Sequence, residues 1–175
     1  MNYMNTERLH LRMWQSADID HLEKLNSDPK VMEYFPGILS RAQSSKMLEK
    51  MIADFQKNKF GLWLIEEKHS KKFCGFAGLK IADFSASFTP AVEIAWRLLP
   101  EFWGRGYAVE AAKAVLLREK TRTDLNEVVS FTAGVNQKSI RVMQKLEMKY
   151  EQEFDHPLVE PASKLSRHVL YRKKL

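Results

Sequence analysis

The sequence predicts an α/β (α+β) protein built on one mixed, mostly antiparallel sheet with helices on both faces. Its periodic segments follow the order β-α-α-β-β-β-α-β-α-β-β, in which three consecutive strands predict an antiparallel meander. A strand, a glycine turn, a helix and a further strand come next, and this unit predicts a parallel pair within the same sheet. The order matches neither a doubly wound sheet nor a TIM barrel.

The amino-terminal part begins with one strand and two helices. Apolar and polar residues alternate over residues 9–13, which is the period of a strand. We predict that Ser16 caps the first helix. Ser40 followed by Gln43 forms a capping box, which predicts a second helix that runs to about residue 57.

The rest of the chain predicts six more strands and two more helices. The strands are expected at residues 62–66, 73–81, 92–98, 128–135, 151–154 and 168–171. Residues 83–90 are predicted to form a polar loop between two of these strands. The helices are expected from residue 106 to about residue 120, and from Asn136 through Lys145.

The composition argues against several classes of protein. The formal charge is +6, but the basic residues are dispersed and lack a nucleic-acid-binding motif, so we expect no specific nucleic-acid partner. No apolar run has the length of a membrane span, and the amino terminus lacks a signal-peptide pattern. We therefore expect a cytoplasmic protein, monomeric or homodimeric, without a membrane partner. A single cysteine, Cys74, argues against an internal disulfide and a cysteine-based metal cluster, and we expect no metal.

The predicted strand at residues 92–98 leads into a glycine turn and then a helix. Gly104 and Gly106 allow backbone N–H groups to approach a ligand without a Cβ in the way. The start of the helix adds unpaired N–H donors and a positive dipole end, and Arg105 adds a charge. These features predict a phosphate site, although short glycine motifs also occur in turns that only join a strand to a helix. The P-loop and Rossmann fingerprints fit less well.

At this turn the sequence resembles the GNAT acetyltransferase superfamily, in its RimJ/RimL-like branch. The superfamily has Arg/Gln-x-x-Gly-x-Gly/Ala, and the branch usually has an aromatic residue in the first position. Further similarity covers nearly the whole chain, at residues 6–12, 26–32, 136–146 and 168–172. The resemblance implies a single GNAT N-acetyltransferase domain over residues 1–175, with acetyl-CoA as co-substrate. It also implies that the sheet is splayed between its fourth and fifth strands.

The resemblance implies a set of cofactor-binding residues as well. Backbone groups of Ala95, Trp96 and Arg97 would pair with the pantetheine arm and the acetyl group. Asn136 would contact the cofactor at the start of the following helix. Backbone N–H groups of the turn would hold the pyrophosphate, and the turn consists of Trp103, Gly104, Arg105, Gly106, Tyr107 and Ala108.

Two positions depart from the family pattern. A tyrosine that serves many members as general acid is replaced by Met143, which has no proton to donate. The usual Gly-Phe pair is replaced by Glu147 and Met148. Because a left-handed helix cap favours glycine, we expect the turn at Glu147 to differ locally.

Acetyl transfer to an amine requires a base, a donor to the developing oxyanion and a protonated leaving thiolate. We predict Glu93 as the base because an apolar wall beside the thioester would raise its pKa, and a solvated or salt-bridged residue is the alternative. Ser139 is the candidate donor near the thiol, with a local capping role as the alternative. His156 and His168 are candidate bases or substrate contacts, with a structural role as the alternative. Cys74, without an adjacent base, is expected to be inert packing.

The resemblance places the segment after the first helix at the acceptor cleft, so we expect Met32, Tyr34 and Phe35 to shape it. It implies transfer of acetyl by direct attack in a ternary complex to a primary amine. The amine would belong to a protein N-terminus, such as that of a ribosomal protein, or to a small molecule. A non-catalytic CoA-binding regulatory module is the alternative that Met143 leaves open. A nucleic-acid-binding protein would rest on charge alone.

Overall fold

A computed structural model describes residues 3–122 and 124–175 of the protein. The strands are β1 (Tyr3–Asn5), β2 (Leu9–Arg12), β3 (Leu62–Glu67), β4 (Phe73–Ala82), β5 (Ala91–Leu98), β6 (Glu127–Ala133), β7 (Lys149–Asp155) and β8 (Arg167–Lys174). The helices are α1 (Ile19–Ser27), α2 (Arg41–Asn58), α3 (Tyr107–Arg122) and α4 (Gln137–Lys145). Short 3₁₀ turns, Ser16–Asp18 and Pro100–Phe102, precede α1 and α3.

The described strands form one sheet in the order β1-β2-β3-β4-β5-β6-β8-β7. Neighbouring strands are antiparallel except β5 and β6, which are parallel. Short turns are sufficient for the β3-β4-β5 meander, whereas a parallel pair needs a longer crossover, and α3 supplies it. The predicted mixed, mostly antiparallel sheet is confirmed.

The parallel pair of β5 and β6 meets at a single register position, Glu93 opposite Val129. The strands continue to Leu98 and Ala133 without further pairing to each other. On its other edge, β5 stays in register with β4 along its whole length. The sheet is therefore splayed, as expected. The gap lies between the fifth and sixth strands in chain order because Tyr3–Asn5 adds a strand that the sequence pattern did not predict.

Helices cover both faces of the sheet. On one face, Arg97 of β5 reaches Asn26 of α1, and Asn26 is also hydrogen-bonded to Ser44 of α2. On the other face, Arg118 of α3 lies over the ring of Trp63 in β3, and α4 packs beside α3. Five aromatic residues are buried in the core or packed against it: Trp14, Phe60, Trp63, Trp96 and Phe102. No helix in the described ranges is both long and apolar enough to cross a membrane.

The two predicted helix caps at Ser16 and Ser40 had different outcomes. The capping box of Ser40 and Gln43 is confirmed at the start of α2. The prediction for Ser16 is wrong, because Ser16 lies inside a 3₁₀ turn and α1 begins at Ile19. The carboxylate of Asp18 closes that turn by accepting the N–H of Gln15 at 2.7 Å. The strong acceptor is therefore Asp18, not the serine hydroxyl.

The end of α4 keeps a left-handed cap despite the absence of glycine. Glu147 adopts a φ of 60°. The N–H of Met148 then donates to the carbonyl of Met143 at 3.1 Å, which satisfies a carbonyl in the last turn of the helix. The expected departure from this cap does not occur, since Glu147 takes the conformation that glycine usually supplies.

Candidate active site

The glycine turn leaves a row of backbone donors open. Gly104 and Gly106 have φ values of 74° and 82°, in the left-handed region that favours glycine. A Cβ at Gly104 would meet nothing within 4 Å, so backbone conformation, not crowding, requires glycine there. Glu110 is the first residue whose N–H enters the helical ladder, at 3.0 Å from the carbonyl of Gly106. The N–H groups of residues 104–109 donate to no group in the described chain, which is the arrangement of an anion site.

The segment between β1 and β2 fastens this turn to the sheet. Arg8 donates to the carbonyl of Arg105 at 2.9 Å and forms an ion pair with Glu110 at 2.6 Å. Glu110 also accepts the hydroxyl of Thr6 at 2.5 Å and the backbone N–H of Arg8 at 2.9 Å. Residues 6–12 carried part of the family resemblance, and the structure gives Thr6 and Arg8 a physical role that the sequence alone did not indicate.

Cations flank the turn on two sides. Arg105 is half exposed, with one guanidinium nitrogen 3.5 Å from a carboxylate oxygen of Glu67. Lys138, in the first turn of α4, lies with its Nζ 4.2 Å from the centre of the Trp103 ring. The hydroxyl of Tyr107 donates to Glu67 at 2.5 Å, so this side chain is engaged at the sheet. Sequence reasoning missed Lys138 because nothing in its local pattern links it to the preceding strand-to-helix turn.

Three of the predicted cofactor-binding residues lie on the open edge of β5. Ala95, Trp96 and Arg97 follow the junction at Glu93, and each is half-buried. Beyond that junction the backbone groups that face β6 have no strand partner. Buried backbone groups are normally paired, so this edge is suited to an extended ligand that supplies the missing hydrogen bonds.

Asn136 and Ser139 lie on the other side of the gap, where β6 leads into α4. Asn136 caps the helix, because its Oδ1 accepts the N–H of Ser139 at 3.2 Å. Its Nδ2 donates to the hydroxyl of Thr132 at 3.0 Å. The structure therefore brings Ser139 into the local capping arrangement named as its alternative. The Ser139 hydroxyl forms no hydrogen bond with the described residues, and the side chain is half-buried.

Glu93 lies at the point where the two strands separate. It is only 5% exposed, and Lys80 is its register partner on β4. The Lys80 ammonium forms an ion pair with a carboxylate oxygen of Glu93 at 3.1 Å, and this is the one charged partner of Glu93 among the described residues. Burial raises the pKa of Glu93, and Lys80 offsets part of the rise. Glu93 is therefore not a solvated carboxylate. It does form an ion pair, with Lys80, which was the other alternative to a role as the base.

Arg97 projects from the same face of β5 as Glu93, since residues four apart on a strand share a face. The ring of Phe35, from the segment after α1, stacks on its guanidinium with 4.1 Å between the ring centre and Cζ. Of the three residues expected at the acceptor cleft, Phe35 is exposed, Tyr34 is half-buried and Met32 is buried. Phe35 is therefore the one that reaches the strand carrying the candidate base.

His156 and His168 belong to an aromatic cluster, with 4.8 Å between their ring centres. The cluster also contains the rings of Phe84, Phe88, Phe131 and Phe154. Burial lowers the pKa of His156 to about 4, with help from His168 and from the Lys80 ammonium. A neutral, ring-packed histidine fits the structural alternative. The loop at residues 83–90, which was predicted to be polar, contributes two aromatic rings to this cluster, those of Phe84 and Phe88.

Two further positions are buried without a reactive role. Cys74 is fully buried, and burial raises the pKa of its thiol to about 12, so it is inert packing as expected. Met143 is fully buried in the core. Within residues 3–122 and 124–175, no group of His, Cys, Asp and Glu side chains is arranged to hold a metal ion.

The chain matches the family model described as the acetyltransferase (GNAT) domain over residues 8–149. It is 28% identical over 150 residues to the uncharacterized N-acetyltransferase YnaD of Bacillus subtilis (strain 168), covering 85% of this chain and 84% of the relative.

Two solved structures have a similar fold. One is the acetyltransferase (GNAT family) from Bacillus anthracis, with a TM-score of 0.79, 21% identity and 98% coverage of both chains. The other is RimL, the ribosomal L7/L12 alpha-N-protein acetyltransferase in complex with coenzyme A. Its TM-score is 0.82 at 17% identity, covering 99% of this chain and 98% of that one.

We expect Glu110→Gln to destabilise the protein by about 1–3 kcal/mol at pH 7, because it removes charged hydrogen bonds from Thr6 and Arg8. Burial alone would raise the pKa of Glu110, but those hydrogen bonds outweigh it and the pKa is lowered. A lowered pKa in the folded state gives stability that is present above the ordinary value of about 4.3 and is lost as the pH falls through the folded value.

Urea unfolding between pH 7 and pH 3 measures this effect. The difference between the wild type and Glu110→Gln should shrink toward acid. Glu101→Gln is the matched control, since Glu101 forms an exposed pair with Lys24 whose loss should change stability little. Equal effects of the two substitutions on the free energy of unfolding would contradict the role of Glu110 in fastening the glycine turn to the segment between β1 and β2.

Proposed function

Because the chain belongs to the GNAT acetyltransferase family, we propose that it moves an acetyl group from acetyl-CoA to a primary amine by direct attack in a ternary complex. The acceptor is a protein N-terminus, such as that of a ribosomal protein, or a small-molecule amine. The reaction takes place in the cytoplasm, in a single domain over residues 1–175 that acts as a monomer or homodimer. The observation that carries the proposal is that three features meet at one gap in the sheet. They are the unpaired edge of β5, the glycine turn with its unpaired N–H groups, and the buried carboxylate of Glu93.

The cofactor residues of the proposal are supported by unpaired backbone groups. The N–H groups of residues 104–109 fit a pyrophosphate, which accepts several hydrogen bonds and benefits from the positive end of α3. Trp103 contributes its ring, which holds Lys138 near the turn. The open edge at residues 95–97 fits the extended pantetheine arm. Asn136 orders the first turn of α4 beside that edge.

When bound, acetyl-CoA supplies an activated thioester whose thiolate leaves as the amine is acetylated. Glu93 removes the proton from the attacking ammonium, because a carboxylate with a raised pKa is better matched to this task than an ordinary one. An N–H group on the open edge of β5 stabilises negative charge on the carbonyl oxygen. The free hydroxyl of Ser139 is the candidate proton donor to the leaving sulfur, in place of the tyrosine that Met143 replaces, and the proton that the nitrogen loses as the amide forms restores the hydroxyl.

We expect Gly106→Asp to weaken acetyl-CoA binding by about a hundredfold or more, because it places a carboxylate against the pyrophosphate. Isothermal titration calorimetry measures the affinity. Gly106→Asn is the matched control, since asparagine has the same shape, also tolerates the left-handed conformation and carries no charge. Unchanged affinity in Gly106→Asp would refute the assigned site, and equal losses in both variants would point to shape instead of charge.

We expect Glu93→Gln to lower kcat/KM by about a hundredfold or more, which is the usual contribution of a general base. In the wild type the rate should rise with pH as Glu93 loses its proton, and the variant should lose this dependence. Lys80→Met removes the cation that offsets the raised pKa, so the rising limb should move to higher pH.

The measurement is the release of free thiol across a pH series, with Lys50→Met as a control at an exposed ion pair. A rising limb that stays in place in Lys80→Met would mean that another group titrates, the amine itself being the first candidate. A wild-type rate in Glu93→Gln would exclude Glu93 as the base.

A further inference from the structure

Arg97 is a sheltered cation without a carboxylate partner among the described residues. Burial lowers the pKa of its guanidinium to about 10, with no neighbouring charge to oppose the effect. Other half-buried arginines are paired, as Arg12 is with Asp18 at 2.8 Å and Arg172 is with Glu151 at 2.5 Å. An unpaired cation taken out of water costs stability, so its presence on the face of the candidate base calls for an explanation.

The groups that do contact Arg97 leave one edge of its guanidinium unused. Nη1 donates to the side-chain oxygen of Asn26 at 2.6 Å. The rings of Phe35 and Phe76 lie against the guanidinium, 4.1 and 5.4 Å from Cζ. Nε is buried without a partner, and Nη2 forms no hydrogen bond with the described residues. Nε and Nη2 together form the fork that binds a carboxylate through two parallel hydrogen bonds.

The position of Arg97 relative to Glu93 matches the two ends of a zwitterion. The two residues are four apart on one face of β5, so their Cα atoms are about 13 Å apart. Ala95 lies between them on β5, and its register partner on β4 is Gly78, so these two sheet positions place no bulky side chain between the carboxylate and the cation.

We propose that the acceptor amine also carries a carboxylate, which Arg97 binds while the amine lies between Glu93 and the acetyl group. The substrate class is an amino acid or a peptide N-terminus with an acidic residue close to the amine. This inference rests on the proposed function and narrows its acceptor. Asn26 holds Nη1 from α1, and the exposed ring of Phe35 stacks on the guanidinium, so both fix the orientation of the fork.

The kinetic test compares each acid with its neutral counterpart. Thiol release is measured for glycine, methionine and phenylalanine against their amides, and for tetrapeptides with Glu against Gln in the second position. We expect the wild type to favour the carboxylate in at least one pair by about ten- to a hundredfold in kcat/KM. Arg97→Met should lose that preference, and Arg97→Lys should keep part of it. The pair that shows the preference identifies the source of the carboxylate.

Two controls separate recognition from folding. Arg41→Met removes an arginine from an exposed ion pair on α1 and α2, and should leave the preference unchanged. Thermal unfolding of Arg97→Met checks that the variant is folded. A merely structural role for Arg97 predicts equal losses for acids and amides, and that result would overturn the proposal, as would a wild type without any preference.

A binding measurement keeps the inference testable if no acceptor turns over. The N-acetylated forms of glycine, methionine and phenylalanine, and of the Glu and Gln tetrapeptides, are titrated into the protein in the presence of CoA. The N-acetylated amides of the three amino acids are titrated in parallel as the neutral counterparts of the acids. Tighter binding of the acids to the wild type, lost in Arg97→Met, would support the inference even if the proposed catalysis fails. Turnover of amines without a carboxylate preference would refute the inference and leave the proposed function intact. Absence of both turnover and selective binding would overturn both.

Discussion

The site depends on one constraint, which is that β5 and β6 pair at a single position and then diverge. A parallel pair joined through a crossover helix would ordinarily continue as a ladder, and each strand would satisfy the backbone groups of the other. Here the pairing stops at Glu93 and Val129. The open edge needs hydrogen-bond partners from elsewhere. The glycine turn ends one strand, the Asn136 cap ends the other, and the buried carboxylate lies at the apex between them.

The two sides of this gap are stabilised in different ways. On the side of the glycine turn, Arg8 and Glu110 pair with well-formed hydrogen bonds and fix the start of α3. On the opposite face, Glu93 and Arg97 are ionisable groups with incomplete partners. Groups of this kind reduce stability unless a ligand completes them, and they concentrate at functional sites. The turn side is therefore held by interactions within the chain, and we propose that a substrate completes the acceptor side.

Local sequence patterns predicted most of the fold, because helix and strand periods, the capping box of α2 and the glycine turn all act over a few residues. Features that depend on distant partners were missed. The single register position of Glu93 and Val129 joins two strands that are separated in sequence by the whole of α3. Phe84 and Phe88 sit in a loop with polar neighbours, and their role appears only when β6 and β7 bring other rings to them. The free edge of Arg97 is likewise invisible in a sequence, which cannot show that a carboxylate is absent nearby.

The most direct test of the central claim is backbone hydrogen exchange with and without saturating CoA. Occupation of the gap by the pantetheine arm, with the pyrophosphate at the turn, requires that two sets of amides exchange more slowly with CoA present: those of residues 94–98 that face β6, and those of residues 104–109. Exchange in the second half of α2, which packs on β3 through Phe55 and Trp63, should stay the same. Unchanged exchange in both of these segments at saturating CoA, with protection elsewhere, would contradict the claim that the open strand edge and the glycine turn form the cofactor site.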